Sequence, residues 1–201
     1  MKRVLFIDGS NLYGGLGELL QPGTYIDFGD FLKVIQKDFD YDEVRFYGTY
    51  MRIDAKHAIS QQMRAKAQVE FFNNVRECPK VTFIEGHFSP SSGKEKGVDV
   101  KLASDMVLGA ATHTLDEAMI MTGDADLLYA VQLVRQLKIP VFMGAFASRF
   151  PFQMVYHVDK RFVYDYNHHF EKKVVPSFRK KLRNIIIREI ADSAKVLAVT
   201  L

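Results

Sequence analysis

Two kinds of hydrophobic block alternate along the chain. One is a short continuous apolar run; the other is a longer stretch with apolar residues at helical spacing. Residues 3–7, RVLFI, form the first short run and end at Asp8-Gly9, the pattern of a buried strand followed by a turn. A helix is predicted over 28–39 with Asp27 as its N-cap. VRFYGTYM (44–51) is rich in β-formers and reads as a strand. Residues 54–76 carry no Pro or Gly and bring Ile59, Met63, Val69 and Phe72 near one another on a helix. Then come a strand at 81–86, a turn-rich basic loop HFSPSSGKEKG (87–97), a helix at 99–111 and a strand at 118–123. A helix at 126–137, a strand at 139–146 and a short strand at 161–166 complete the alternation. That order predicts an α/β domain with a mostly parallel sheet, its active edge at the strands' carboxyl ends. Beyond it, Phe178, Leu182, Ile185, Ile186, Ile190 and Leu197 trace an apolar stripe, so 174–199 is expected to be a C-terminal amphipathic helix.

Composition narrows the class. The 201 residues are 48% hydrophobic and 25% charged, which excludes a disordered chain or a fibrous repeat. No apolar run approaches the roughly 18 residues that span a bilayer, so no membrane partner is expected. MKRVLFIDGS reaches Asp8 too early for a secretory h-region of about 7–15 residues, so the expected location is the cytoplasm. A single cysteine, Cys78, excludes an intramolecular disulfide and a cysteine-rich zinc site, and the six histidines form no HExxH. Metal chemistry, if present, therefore rests on carboxylates. The net charge is +3, but unevenly spread: residues 1–159 hold 17 Lys and Arg against 20 Asp and Glu, whereas residues 160–188 hold nine against two.

The positions of the acidic residues are the informative feature. Asp8 follows the first predicted strand, with Asn11 three residues on. Asp99 and Asp105 lie at the start of the helix after the basic loop, and Asp124 and Asp126 follow the strand at 118–123. In a parallel sheet the strand ends share one face, so three distant segments could deliver carboxylates to one crevice. At about 5 Å and an effective dielectric near 20, each carboxylate pair costs roughly 3 kcal/mol. A hard divalent cation, Mg²⁺ or Mn²⁺, reverses that sign and favours oxygen ligands. An aspartate alone after an apolar strand is more often a turn former or helix cap than a ligand, and Asp99 reads equally well as a plain N-cap. Asp105 lies about 9 Å further along its helix than Asp99 and about 120° around it, so the two need not share an ion.

FIDGSNLY (6–13), KGVDVKLASDM (96–106) and MTGDADLLYAVQLVRQLKIPVFM (121–143) closely resemble the three motif blocks of the NYN domain, in its bacterial LabA-like branch, within the PIN-like nuclease superfamily. The resemblance implies a three-layer α/β/α sandwich over residues 1–168, with 169–201 as a basic helical extension. It implies a metal-dependent ribonuclease acting on single-stranded RNA, with DNA as a further possible substrate. Asp8, Asn11, Asp99, Asp124 and Asp126 are the implied catalytic positions. Asp8, Asp99, Asp105, Asp124 and Asp126 are the implied ligands for Mg²⁺ or Mn²⁺. Ala125 and Leu127 depart from the family's usual third block, and 148–159 departs from its usual short Ser-containing helix.

Lys94, Lys96 and Lys101 surround Asp99 and could hold phosphates beside a metal; Arg179, Lys180 and Lys181 in the tail could bind a nucleic-acid backbone. The tail's apolar stripe could instead serve a homodimer. A protein partner supplying specificity is a further expectation. Two other readings compete with the ribonuclease. One is a catalytically weak NYN protein that regulates by binding RNA or protein. The other is a phosphatase of the haloacid-dehalogenase type, which needs a second Asp where Ser10 stands.

Overall fold

Alternation along β1 (Arg3–Asp8) sets the frame of the molecule. Val4 and Phe6 point to one face and Leu5 and Ile7 to the other, all four fully buried. The computed structural model describes residues 1–21, 23–51, 58–89, 95–164 and 172–175. After β1 come α1 (Gly9–Leu19), β2 (Thr24–Ile26), α2 (Phe28–Asp38), β3 (Glu43–Gly48), α3 (Ile59–Glu77) and β4 (Val81–Glu85). A small hairpin, β5 (His87–Phe88) and β6 (Glu95–Lys96), leads into α4 (Val98–Ala111). Then follow β7 (Glu117–Met121), α5 (Leu128–Gln136), β8 (Val141–Phe146), β9 (Lys160–Tyr164) and β10 (Lys172–Val174).

Six strands form one sheet in the order β4-β3-β1-β7-β8-β9, and every neighbouring pair is parallel. Helices α1, α2 and α3 cover one face over an aromatic core that includes Phe28, Phe31, Phe46, Phe71 and Phe72. Helices α4 and α5 cover the other, where Leu102, Met106, Val131 and Val134 pack on Val4 and Phe6. The α/β architecture is therefore as the alternation predicts, with a fully parallel sheet between two helical layers.

Three local features differ from the sequence expectation. The segment after Asp8 is helix α1 rather than a simple turn, although four of its residues are glycine. Gly costs about 1 kcal/mol against Ala within a helix, but burial of Leu12, Tyr13 and Leu16 and the Asp8 cap outweigh that here. Gly9 is required for close approach: a Cβ there would sit 2.1 Å from the Phe46 ring and 2.6 Å from the Tyr47 carbonyl oxygen. On α3, Ile59 and Val69 are exposed; the buried stripe runs through Met63, Ala67, Phe71 and Val75, at strict i+4 spacing. At the other end, Val174 closes β10, antiparallel to β2, instead of opening a helix. Pro176 disfavours helical geometry at Val175, whose N–H bonds the Gly23 carbonyl at 2.9 Å. The remainder of the expected tail helix, with Arg179, Lys180 and Lys181, lies outside the described residues, as do Lys94 and residues 54–57 of the helix predicted over 54–76.

Candidate active site

The chain leaves β1 toward one face of the sheet, into α1, and leaves β7 toward the other, into α5. Such a reversal between adjacent strands opens a crevice at their carboxyl ends. Asp8 ends β1 at that crevice, and Thr122 to Asp124 follow β7 beside it. Asp8 is the N-cap of α1: its Oδ1 accepts the Asn11 backbone N–H at 2.9 Å. Its Oδ2 accepts the Thr122 hydroxyl at 2.8 Å, and the same Thr122 Oγ1 accepts the Asp124 N–H at 3.0 Å. The two strand ends are thus tied through one hydroxyl.

Asn11 completes the tie, its Oδ1 accepting the Gly123 N–H at 2.9 Å. Glycine is needed at 123, because a Cβ would meet the Arg149 carbonyl at 2.5 Å and Asn11 Oδ1 at 2.9 Å. Asp124 caps the short 3-10 turn Ala125–Leu127 by accepting the Asp126 N–H at 2.9 Å. Asp126 is exposed, and α5 itself starts at Leu128 with no side-chain cap.

The third wall is α4. Its N-cap is Gly97 in the left-handed region at φ 84°, so Asp99 occupies the first helical turn and not the cap. The hairpin preceding it pairs Phe88 with Glu95, which brings Glu95 over the same space. Ser10 Oγ donates to Glu95 Oε1 at 2.5 Å. Together Asp8, Ser10, Asn11, Glu95, Asp99 and Asp124 line a cavity of about 400 Å³, with Lys96 the one cation among its described lining residues.

Electrostatics distinguish the members of this group. Asp8 is 2% exposed, and its carboxyl is raised from 3.8 to about 6. Burial is the main cause. The Asn11 and Thr122 hydrogen bonds oppose it, and the charges of Asp99 and Asp124 add to it. Asp99 is exposed as a residue, yet its carboxyl is also raised: partial desolvation leads, followed by Asp124, Glu95 and Asp126. No ion pair to Asp8, Asp99 or Asp124 occurs among the described residues. Nor do three His, Cys, Asp or Glu side chains among them stand in the tight grouping of a ready-made metal centre. The carboxylates face one another across the cavity instead.

The remaining sequence candidates are dispersed. Asp105, two turns down α4, accepts the Tyr47 hydroxyl at 2.8 Å and is not part of the cavity wall. Lys101 turns its Nζ to the Glu85 carbonyl at 2.6 Å. Outside those candidates, Tyr13 of the same FIDGSNLY stretch is buried, its hydroxyl donating to the Arg64 carbonyl at 2.8 Å, and serves the core. Glu95, Ser10 and Thr122 line or organise the site without standing out in the sequence. Glu95 lies four residues before Asp99 in a turn-rich stretch, and only the hairpin register turns it inward.

The model of the family described as NYN domain matches residues 2–167. The chain is an NYN domain protein. This NYN protein also shares its fold with a crystal structure of a protein of unknown function from Vibrio parahaemolyticus, at a TM-score of 0.61 and 14% identity. The match covers 85% of this chain and 96% of that one. No curated protein matches the chain. Membership places this NYN protein in the PIN-like nuclease superfamily. Among its described residues no helix is long and apolar enough to cross a membrane.

Proposed function

We propose that the protein is a metal-dependent ribonuclease that hydrolyses phosphodiester bonds in single-stranded RNA. One observation carries the reading. Carboxylates from three separate segments converge on one cavity, no basic side chain among the described residues pairs with Asp8, Asp99 or Asp124, and the buried Asp8 is left with a raised pKa. Mutual repulsion of this kind persists where a cation compensates it in the working state.

The donor set fits a hard divalent ion. All candidate ligands are carboxylate oxygens, the choice of Mg²⁺ or Mn²⁺, and the cavity has room for the waters such ions retain. Asp8, Asp99 and Asp124 would hold it, with Glu95 and Asp126 adding negative charge at the margin. A bound ion supplies a water of lowered pKa and a counter-charge for phosphoryl oxygens. The chain's own contribution is orientation. Thr122 fixes Asp8 and the Asp124 backbone together, and Asn11, held by Gly123, locks the α1 end against the turn after β7. Asp105, already bonded to Tyr47, takes no part in this arrangement.

The test is cleavage of end-labelled single-stranded RNA with Mn²⁺, with EDTA, and by an Asp8→Asn/Asp124→Asn variant. Cutting is expected with Mn²⁺, absent with EDTA, and reduced by about 10²–10³-fold or more in the variant. Equal residual cutting by both proteins would sink the proposal. RNA binding without cutting under all conditions would replace it with a regulatory, catalytically weak role.

A further inference from the structure

Arg149 crosses the carboxyl edge of the sheet beside the carboxylate cavity. It closes the short 3-10 turn Ala147–Arg149 that follows β8, and β8 runs parallel to β7, so both strands end at that edge. Its contacts tie it to the site. A Cβ added at Gly123 would lie 2.5 Å from the Arg149 carbonyl oxygen, 2.8 Å from Arg149 Cβ and 2.9 Å from Asn11 Oδ1. The base of the arginine and the Asn11 amide therefore meet over one glycine, the residue before Asp124.

The side chain then reaches α1. A Cβ at Gly14 would stand 3.1 Å from Arg149 Nη1 and 3.6 Å from both Cζ and Nη2, so the guanidinium lies against the bare backbone of that helix. Gly14 follows Asn11 by three residues, which places the two on one helix face. Asn11 lines the cavity and also the small recess that Arg149 bounds. On the wall formed by the β5–β6 hairpin and α4 stands Lys96. The acidic centre thus has a cation on each side, Lys96 beside α4 and Arg149 beside α1.

We propose that Arg149 binds a phosphodiester of the substrate strand next to the one at the carboxylates, so that the strand passes over Asn11 onto α1. The inference deepens the nuclease reading and rests on it for the identity of the ligand. Charge decides the occupant. Asp8, Asp99 and Asp124 repel a polyanion, and a cation held among them offsets their own charge first. The phosphates on either side then need cations from the chain itself. Arginine suits that role, because its planar fork donates two parallel N–H bonds to phosphate oxygens. Such a contact positions the strand without reading its sequence.

The experiment measures binding by fluorescence anisotropy in EDTA, where metal-dependent cutting cannot interfere. The probe is a labelled single-stranded RNA of about a dozen nucleotides with a 5′-hydroxyl, titrated across a range of salt concentrations. Arg149→Gln is expected to weaken binding by about tenfold, the worth of a hydrogen bond to a charged group. It should also lower the slope of log affinity against log salt by about 0.7, the value of one phosphate contact on a single strand. Arg149→Lys should keep the slope and recover only part of the affinity. The loss should be equal for strands of different sequence and for an abasic strand. A second variant keeps the arginine: Gly14→Ala puts a methyl 3.1 Å from Nη1. Only the end of a flexible side chain must yield, and alanine favours the helix, so the protein should melt no lower than wild type while RNA binding falls. An unchanged salt slope in Arg149→Gln, or no affinity of the wild type for the strand at low salt, would overturn the proposal. So would a loss confined to strands carrying a 5′-phosphate, which would assign Arg149 to a terminal phosphate. Mn²⁺-dependent cutting with an unchanged slope leaves the nuclease and removes the arginine contact; a lowered slope without cutting does the reverse.

Discussion

Carboxylates at the amino edge of the central sheet and those lining the cavity at its carboxyl edge are treated in opposite ways. At the amino edge carboxylates are matched with cations: Glu43 with Lys2 at 2.7 Å and Arg45 at 2.6 Å, Asp40 with Arg3 at 3.0 Å, Asp159 with Arg135 at 2.9 Å. Burial alone would raise the Glu43 carboxyl, but the hydrogen bonds and charges of Arg45 and Lys2 hold it below the usual range. At the carboxyl edge Asp8, Asp99 and Asp124 face one another without such partners among the described residues, and both Asp8 and Asp99 are raised. One edge is arranged for stability. The cavity at the other retains charge repulsion that the fold must offset elsewhere.

The sharpest way to break this contrast is to neutralise Asp8. Its native carboxyl titrates near 6 and its unfolded one near 3.8. Between those values the native state binds more protons, so its stability falls as pH rises through the window and stays lower above it. The difference corresponds to about 3 kcal/mol. Asp8→Asn should therefore stabilise the protein at pH 7 in EDTA by about 2–3 kcal/mol while abolishing cleavage, and the gain should vanish near pH 4. Urea denaturation at the two pH values measures it; a variant no more stable than wild type at pH 7 contradicts the argument.

Next in size is Gly123→Ala. The added methyl must displace the Arg149 backbone or the Asn11 amide, so a loss of about 1–3 kcal/mol is expected from overpacking. Cleavage should fall with it, because the tie between α1 and the turn after β7 is lost. Unchanged stability would mean that this edge is looser than its contacts indicate.

Smallest is Glu43→Gln at the other edge. Here the native carboxyl lies below its unfolded value, so its stabilisation is present above about 4.5 and lost as pH falls through the native value. Removing it should cost about 0.2–1 kcal/mol at pH 7 and leave cleavage untouched. An effect as large as that of Asp8→Asn would erase the asymmetry between the edges.

Much of this contrast is legible in the sequence. The continuous apolar run of β1 and the Asp27 cap of α2 are local features, and local features survive folding. Helix α1 is hidden because its glycines argue against a helix, and only the aromatic core beneath it supplies the compensating burial. Ile59 and Val69 are apolar by composition but lie off the stripe that α3 buries. The acidic positions can be named from their places after strands, yet their roles cannot. Asp105 and Asp99 share one helix and one charge, and differ by which neighbour each meets.

The sequence by itself determined the α/β alternation with its mostly parallel sheet and the segments that bring carboxylates to the strand ends. Both follow from short-range periodicity and from chain order. Tertiary structure alone decided the selection among those carboxylates, the inward turn of Glu95 through the β5–β6 register, and the Thr122 bridge between β1 and β7. It also decided that Tyr129, Phe152 and Tyr156 stay on the surface while Tyr13 is buried. Each of these depends on contacts between residues far apart in the chain, where distance and desolvation set the energy, and neither quantity is encoded in any local pattern.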